Sequence, residues 1–296
     1  MRTENIAMPI SINNLSHTYM QGTPFATTAL RNISLNIYSG RCTGISGRTG
    51  SGKSTLVQLL SGLLEPSSGC VSIDGIDVAK SNLAELRRRI GIVFQYPERQ
   101  LFERTVYKEI AFGLSRFGLG SAETDMRVRE ALIRVGLGEE LLDKSPFRLS
   151  GGQKRRIAIA AILAMRPEIL ILDEPAAGLD PQGRREILDG VARMQRELGF
   201  TLLLVSNSLD DIIRLADRVV ILNNGSVALE GTVRDVLGNS EALESAGMLM
   251  PKITGFMMQL RKKIPELRDC ILTVDEARDE LKRVMSLSAE GDAAAC

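Results

Sequence analysis

The sequence predicts an α/β fold built around a mainly parallel sheet, on three observations. Residues 169–172 and 201–205 are unbroken apolar runs bounded by turn or charged residues, as expected of strands buried on both faces. Between them, residues 181–198 read as a helix with Asp180 as N-cap and Pro181 at the first helical position. Upstream, a short strand over residues 42–46 runs into a glycine-rich turn and then a helix over residues 53–64. Strands alternating with helices in this way build a parallel sheet covered by helices.

The remaining elements follow in order. The first forty residues read as strands: Ile33, Leu35 and Ile37 alternate with Ser34, Asn36 and Tyr38, a period of two with one buried face. Residues 71–78 and 90–94 are further strands. From about residue 97 to residue 165 helical patterns take over, notably over 123–135, with Gly136 and Gly138 as stop signals. Residues 219–222 and 227–229 flank Asn223-Asn224-Gly225 and read as a hairpin. Beyond Thr232 the pattern is helical and polar, and the Ala/Gly/Ser-rich end from Ser288 is expected to be frayed and disordered. This gives a core domain over 1–238 with an antiparallel β subdomain at its start and a helical subdomain at about 97–165. A helical extension over 239–296 follows.

Composition narrows the function. Apolar residues make up 44% and charged residues 25% of the 296, which are globular values. With 37 basic and 36 acidic residues the formal net charge is +1, so no broad basic field points to nucleic acid. The longest nearly pure apolar run, residues 157–165, falls well short of the ~20 residues a membrane span needs, and no signal peptide is visible. A soluble intracellular chain is expected. Cys42, Cys70, Cys270 and Cys296 are scattered without a C-x-x-C pair and read as reduced thiols. His17 is the only histidine, which excludes a histidine-based metal site and a Ser–His triad.

Three motifs carry chemistry. Gly47-Arg48-Thr49-Gly50-Ser51-Gly52-Lys53-Ser54-Thr55 is a P-loop, G-x-x-x-x-G-K-[ST], between a strand and a helix. Its glycines let backbone N–H groups close around phosphate oxygens. The helix start adds partial positive charge, Lys53 reaches the β- and γ-phosphates, and the Ser54 hydroxyl can ligate Mg²⁺. Ile169-Leu170-Ile171-Leu172-Asp173-Glu174-Pro175 is an apolar strand ending in two carboxylates. Asp173 suits Mg²⁺, and Glu174 suits orienting and deprotonating an attacking water. Taken alone, the pair could be an acidic cap after a buried strand; beside a P-loop it points to hydrolysis of a nucleoside triphosphate.

The third motif, Leu149-Ser150-Gly151-Gly152-Gln153, opens a long helix. Ser150 and Gln153 have capping-box spacing, which a merely well-capped helix would explain. It would not explain Gly151 and Gly152, each costing ~1 kcal/mol against Ala. Glycines at a helix mouth make sense where an anion must approach the backbone closely. A second phosphate-binding end in a chain with one P-loop implies that it serves another molecule's nucleotide.

Together these motifs resemble the ATPase subunit of ATP-binding cassette (ABC) transporters, over about residues 8–235. The resemblance implies a P-loop NTPase (RecA-like) core and a head-to-tail dimer with two ATPs, each between one subunit's P-loop and the other's signature helix. It implies that Gln95 is the Q-loop glutamine, contacting Mg²⁺ or water and sensing a membrane subunit. Ala177-Gly178-Leu179-Asp180 matches the D-loop at the dimer seam, and Tyr19 the aromatic that stacks on adenine, or else an ordinary half-buried strand tyrosine. Residues 22–30, 94–102, 249–254 and 269–276 resemble the energy-coupling factor (ECF) group of importers, and specifically the second of its two ATPase subunits. That implies a related ATPase partner, a transmembrane scaffold and a membrane protein capturing a vitamin or metal ion, with the chain held peripherally at the cytoplasmic face of the membrane. Glu98 then becomes a candidate to receive a basic residue of the scaffold, or simply a solvated surface Glu.

One position departs from the pattern. In Val205-Ser206-Asn207-Ser208-Leu209-Asp210, Asn207 stands where the family has the switch histidine. Asparagine can donate an amide hydrogen bond to a γ-phosphate but cannot carry a proton near neutral pH. The expectation is that this chain's own site binds ATP and turns over slowly. Other readings weighed are an ATPase of another ABC importer family, a soluble ABC ATPase acting on DNA or ribosomes, and a non-hydrolysing partner. The short segment between Gln95 and Leu149 and the single P-loop fit repair and translation ATPases poorly, and intact Lys53, Asp173 and Glu174 oppose the non-hydrolysing partner.

Overall fold

The N-terminal alternation folds as a four-stranded antiparallel sheet. In the computed structural model, which describes residues 9–79 and 83–293, β1 (Ile10–Tyr19) pairs with β2 (Thr27–Ile37), placing Ile33, Leu35 and Ile37 on the buried face as their spacing requires. After β3 (Cys42–Gly47) and α1 (Lys53–Leu60), β4 (Ser68–Ile73) and β5 (Ile76–Asp77) complete it in the order β2-β1-β4-β5. Two expectations are corrected here. The helix ends at Leu60, not residue 64, because Gly62 takes φ 65° and the Leu63 N–H reaches back to the Gln58 carbonyl at 2.9 Å, closing the last turn. The strand over 71–78 is instead a hairpin turning at Asp74 and Gly75, both with positive φ; the Asp-Gly pair was the signal.

The second sheet has six strands. α2 (Leu83–Arg89) leads into β6 (Ile90–Val93). The helical stretch follows, with α3 (Val106–Phe112), α4 (Ser121–Arg134) and α5 (Gly151–Leu163), and then β7 (Ile169–Asp173), α6 (Pro181–Leu198) and β8 (Thr201–Val205). α7 (Leu209–Leu215), β9 (Arg218–Asn223) and β10 (Ser226–Thr232) follow, giving the order β10-β9-β3-β8-β7-β6. All neighbours are parallel except the β9–β10 hairpin at the edge. The apolar runs in β7 and β8 are buried on both faces. Leu170, Leu172, Leu202 and Leu204 join the core shared with the helical stretch, while Ile169, Ile171, Leu203 and Val205 join the core under the antiparallel sheet. Each strand thus serves two cores through its period of two.

The helices carry their own reasons. α6 starts where Asp180 accepts the N–H groups of Gln182 and Gly183, both at 2.9 Å, with Pro181 at N1. It buries Ile187, Leu188, Val191 and Met194 at helical spacing and stops at Gly199 with φ 69°. α4 buries Val128, Ala131 and Leu132 and lines its outer face with Glu123–Arg127, Asp125–Arg129 and Glu130–Arg134 pairs, worth ~0.3–0.5 kcal/mol each.

Past α8 (Val233–Leu237), the extension comprises α9 (Ser240–Ser245), α10 (Lys252–Arg261) and α11 (Val274–Ala293). It has a small core of Met257, Leu267, Ile271 and Ala277, and it sends Leu243, Ala246, Met248 and Leu272 into the main core. The helix continues through 288–293, where composition predicts fraying: with no proline there, each added residue propagates an existing helix. Residues 294–296 of that expected disordered end lie outside the described residues. Cys42 is a free, buried thiol whose pKa is pushed up by burial and by nearby Asp217.

Candidate functional site

Four neighbouring parallel strands deliver the site at their C-terminal ends, the edge where open parallel sheets gather ligands. β3 ends in the P-loop, β8 in Ser206 and Asn207, β7 in Asp173 and Glu174, and β6 leads to Gln95. The motifs lie far apart in sequence, and strand order alone brings them together.

The P-loop wraps its own lysine. Lys53 Nζ donates to the carbonyls of Gly47 at 2.7 Å and Arg48 at 3.0 Å. Gly52, with φ 101°, opens α1 without any side-chain cap, so the helix start is left to backbone N–H groups. A Cβ on Gly52 would come 2.5 Å from Leu30 Cδ2 and 2.7 Å from the Ala29 carbonyl oxygen, so glycine is required twice over, by conformation and by space. Ser51 and Thr55 are buried and the Ser54 side chain is exposed. Tyr19, at the end of β1, sits beside the first turn of α1: its hydroxyl lies 3.1 Å from Thr55 Oγ1, its ring meets His17 edge-on, and 37% of it remains exposed.

The two carboxylates differ in setting. Asp173 ends β7 and is 7% exposed; burial pushes its pKa up, against the pull of nearby Lys53. Glu174 follows in the left-handed region, φ 52°, a conformation costing a non-glycine residue ~1–2 kcal/mol. That turn aims its carboxylate at the switch segment, where Oε1 accepts the Asn207 backbone N–H at 2.6 Å. Burial also raises the Glu174 pKa, outweighing the Asn207 hydrogen bond, while burial lowers that of Lys53 against both carboxylates. Burial thus works on all three groups in the direction of their neutral forms.

The switch segment is pinned from behind by residues that motif reading missed. Ser46 Oγ donates to the Ser206 carbonyl at 2.7 Å, Ser206 Oγ donates to Asp211 at 2.9 Å, and Arg184 donates to Asp211 at 2.6 Å. Asp211 is 3% exposed. Its signal was an acidic residue in the first turn of α7 among apolar neighbours. The Asn207 side chain itself stays exposed at this edge.

Gln95 is exposed after β6, followed by Tyr96 at φ 56° and a one-turn 3-10 helix, Pro97–Arg99. Glu98 in that turn is not a free surface carboxylate: it accepts two hydrogen bonds from Arg155 of α5. Asp180 is the N-cap of α6, with the Gly183 and Gln182 N–H groups holding its carboxyl below the usual range.

The signature residues stand elsewhere. Ser150 Oγ accepts the Gln153 N–H at 3.2 Å and Gln153 Oε1 accepts the Ser150 N–H at 3.1 Å, completing the capping box at the start of α5. A Cβ at Gly151 or Gly152 would meet nothing within 4 Å. A cavity of about 700 Å³ beside the P-loop is lined by Gly47, Arg48, Thr49 and Asn207 and, from the extension, by residues 247–252. None of residues 149–153 lines it. Within one chain the P-loop and the signature tip are separate. Among the described residues no cluster of three or more His, Cys, Asp or Glu could hold a metal, and no helix is long and apolar enough to cross a membrane.

A strand-ended P-loop, an Asp–Glu pair closing a buried strand and a glycine-opened helix start on one chain define an ATP-binding cassette. Comparison agrees: the family profile described as ABC transporter matches residues 30–177. The energy-coupling factor transporter ATP-binding protein EcfA2 of Acetivibrio thermocellus is 51% identical over 276 residues, covering 93% of this chain and 98% of that protein. Its counterpart of the same name in Caldanaerobacter subterraneus is 50% identical over 280 residues, covering 94% and 98%. Among solved structures, cbiO1 of Clostridium perfringens, described as part of the ABC transporter complex cbiONQ, superposes with a TM-score of 0.74 at 40% identity, covering 85% of this chain and 99% of that one. The chain belongs to the ABC transporter family and, within it, to the energy-coupling factor ATP-binding proteins. Its activity is that of the family, ATP hydrolysis coupled to transport.

Proposed function

We propose that the chain binds ATP at its own P-loop, lends its signature tip to the ATP of a homologous ATPase subunit in a head-to-tail heterodimer, and drives an ECF-type importer of vitamins or transition-metal ions. The observation that carries this is the separation just described: one chain holds a phosphate cradle and, away from it, a glycine-opened helix start with open space around it. ATP binding closes the pair, closure moves the membrane subunits, and hydrolysis resets them. The surface beside the Q-loop supports a scaffold partner. Phe102 and Phe112 cross edge-on at 4.8 Å while both remain exposed, next to a cleft of about 250 Å³ lined by Pro97, Leu101, Ile162 and Met165. The chain would then sit peripherally on the cytoplasmic face of the membrane, held by partner helices and without nucleic acid.

At the site, backbone N–H groups at the start of α1 and Lys53 hold the β- and γ-phosphates, Tyr19 stacks on adenine, and Glu174 orients and takes a proton from the attacking water. Asp180 lies at the seam with the partner. The oxygen donors Ser54, Asp173 and Gln95 fit Mg²⁺, which keeps few protein ligands and shares phosphates. When bound, Mg²⁺ would supply charge neutralisation at the phosphates. Glu98 would reach a basic residue of the scaffold only by giving up Arg155.

The complex of this chain with its paired ATPase and membrane subunits, assayed in vesicles, tests the reading. ATP-dependent uptake abolished by Glu174→Gln together with Gly151→Asp is expected; uptake untouched by both overturns it. Because Asn207 meets Glu174 only through its backbone, Asn207→His should leave the fold unchanged and raise own-site turnover; no increase counts against a slow own site.

A further inference from the structure

Arg155 of the signature helix reaches into two other parts of the machinery. It lies in the second turn of α5 and is 3% exposed. Its guanidinium donates to both carboxylate oxygens of Glu98, at 3.1 and 3.0 Å, just after the Q-loop. It also donates to the carbonyl of Pro175 at 3.1 Å and that of Ala177 at 2.6 Å, in the loop between Glu174 and Asp180. Burial works to raise the Glu98 carboxyl and the Arg155 guanidinium overcomes it, holding that carboxyl below its usual range. The next buried positions of the helix, Ile157 and Ile159, are apolar, so the charge is not a solvated face.

The geometry restricts what can replace it. A planar fork satisfies a bidentate carboxylate and two carbonyls at once; a lysine ammonium has three donors and no fork. A charge this deep is tolerable only while paired, and loss of one partner leaves the other uncompensated. The four bonds therefore resist any displacement of α5 that does not carry the post-Q-loop turn and the loop after Glu174 with it.

Those three segments face different tasks. The start of α5 is the tip offered to the partner's nucleotide, the turn at Glu98 follows Gln95, and the loop at 175–177 leaves Glu174, the base of this chain's own site. We propose that Arg155 is a positioning residue that joins the signature tip to the Glu174 loop and the post-Q-loop turn, so that engagement of the partner's ATP is transmitted to this chain's own hydrolytic carboxylate. The inference rests on the paired-site reading above and adds to it a route between the two sites.

The test uses the full complex with its paired ATPase and membrane subunits. Arg155→Lys keeps the charge and loses the fork. Glu98→Gln keeps the shape and an acceptor for Arg155 at a partly exposed position, and thermal melts of both variants separate a folding loss from a lost link. Binding of a fluorescent ATP analogue, subunit co-purification and KM for ATP should stay within ~2-fold, while own-site kcat, read with hydrolysis at the partner's site disabled, falls ~10-fold or more in Arg155→Lys and ~3-fold in Glu98→Gln. The Hill coefficient for ATP should fall toward one, because the coupling between sites is what is lost. The double variant should fall no further than Arg155→Lys alone, since both remove the same link. A kcat within ~2-fold of wild type, a fall in kcat matched by an equal loss of nucleotide binding, or an additive double variant overturns the proposal. Failure of the paired-site reading looks different: there the wild-type complex itself shows no cooperative turnover.

Discussion

Two helices of this chain begin at glycines, and they begin on opposite terms. α1 starts inside the fold: Gly52 is wedged against Leu30 and Ala29, no side chain caps it, and Lys53 folds back onto the loop carbonyls. α5 starts in the open: Ser150 and Gln153 already cap it, and nothing crowds Gly151 or Gly152. The first is a cradle that the chain completes by itself. The second is capped by its own side chains and faces open space. The contrast teaches that a glycine at a helix mouth has two uses: to fit the helix start into a crowded fold, or to keep a face clear.

Substitutions should separate the two. Lys53→Ala is expected to have the largest effect, abolishing nucleotide binding to the isolated chain and lowering own-site turnover ~10²–10³-fold; equilibrium binding of a fluorescent ATP analogue checks it. Gly151→Asp should leave that binding unchanged and even add a few tenths of a kcal/mol to stability, since a first-turn carboxylate suits the helix dipole. In the assembled pair it should cut turnover at the partner's site ~10²-fold, measured by steady-state hydrolysis. If Gly151→Asp instead damages binding by the isolated chain, the two ends are not independent.

Gly52→Ala should cost folding itself ~2–4 kcal/mol, from a left-handed backbone and a Cβ against Leu30 and Ala29, seen in denaturant melts. Ser150→Ala should cost only ~1 kcal/mol, the value of one cap. The smallest effect is electrostatic. Burial raises the folded-state pKa of Glu174, so the folded protein holds that proton more tightly than the unfolded chain does. The associated stability is fully present below the unfolded pKa and is lost as pH rises through the folded one. At neutral pH Glu174→Gln should therefore raise the melting temperature by ~1–3 °C while abolishing own-site hydrolysis, and wild-type own-site turnover should fall with acidification at a higher pH than an ordinary glutamate would give.

Much of this was legible in the residues. The double-faced burial of β7 and β8, the Asp180 cap, the hairpin at Asn224-Gly225 and the capping box follow from local pattern, because each is decided by neighbours within a few positions. Where local reading failed, a local signal had been outweighed or overlooked: Gly62 stops α1 early, and Asp74-Gly75 splits one strand into two. Arg155 and Asp211 were not legible in this way. Their ion-pair partners are 57 and 27 residues away, and nothing in the spacing of an arginine or an aspartate says which charged group it will meet.

What the sequence alone determined is a set of local runs: a glycine-rich turn ending in Lys53, an Asp173–Glu174 pair closing an apolar strand, and a glycine-opened helix, each decided by its own backbone and side chains. What only the tertiary structure decided is assembly. Parallel strand order brings Gln95, Asp173, Glu174 and Asn207 to one edge and leaves residues 149–153 apart from it, and packing buries Arg155 against Glu98. Those relations depend on which strands pair and which helices cover them, a global property of the folded chain that no window of sequence contains.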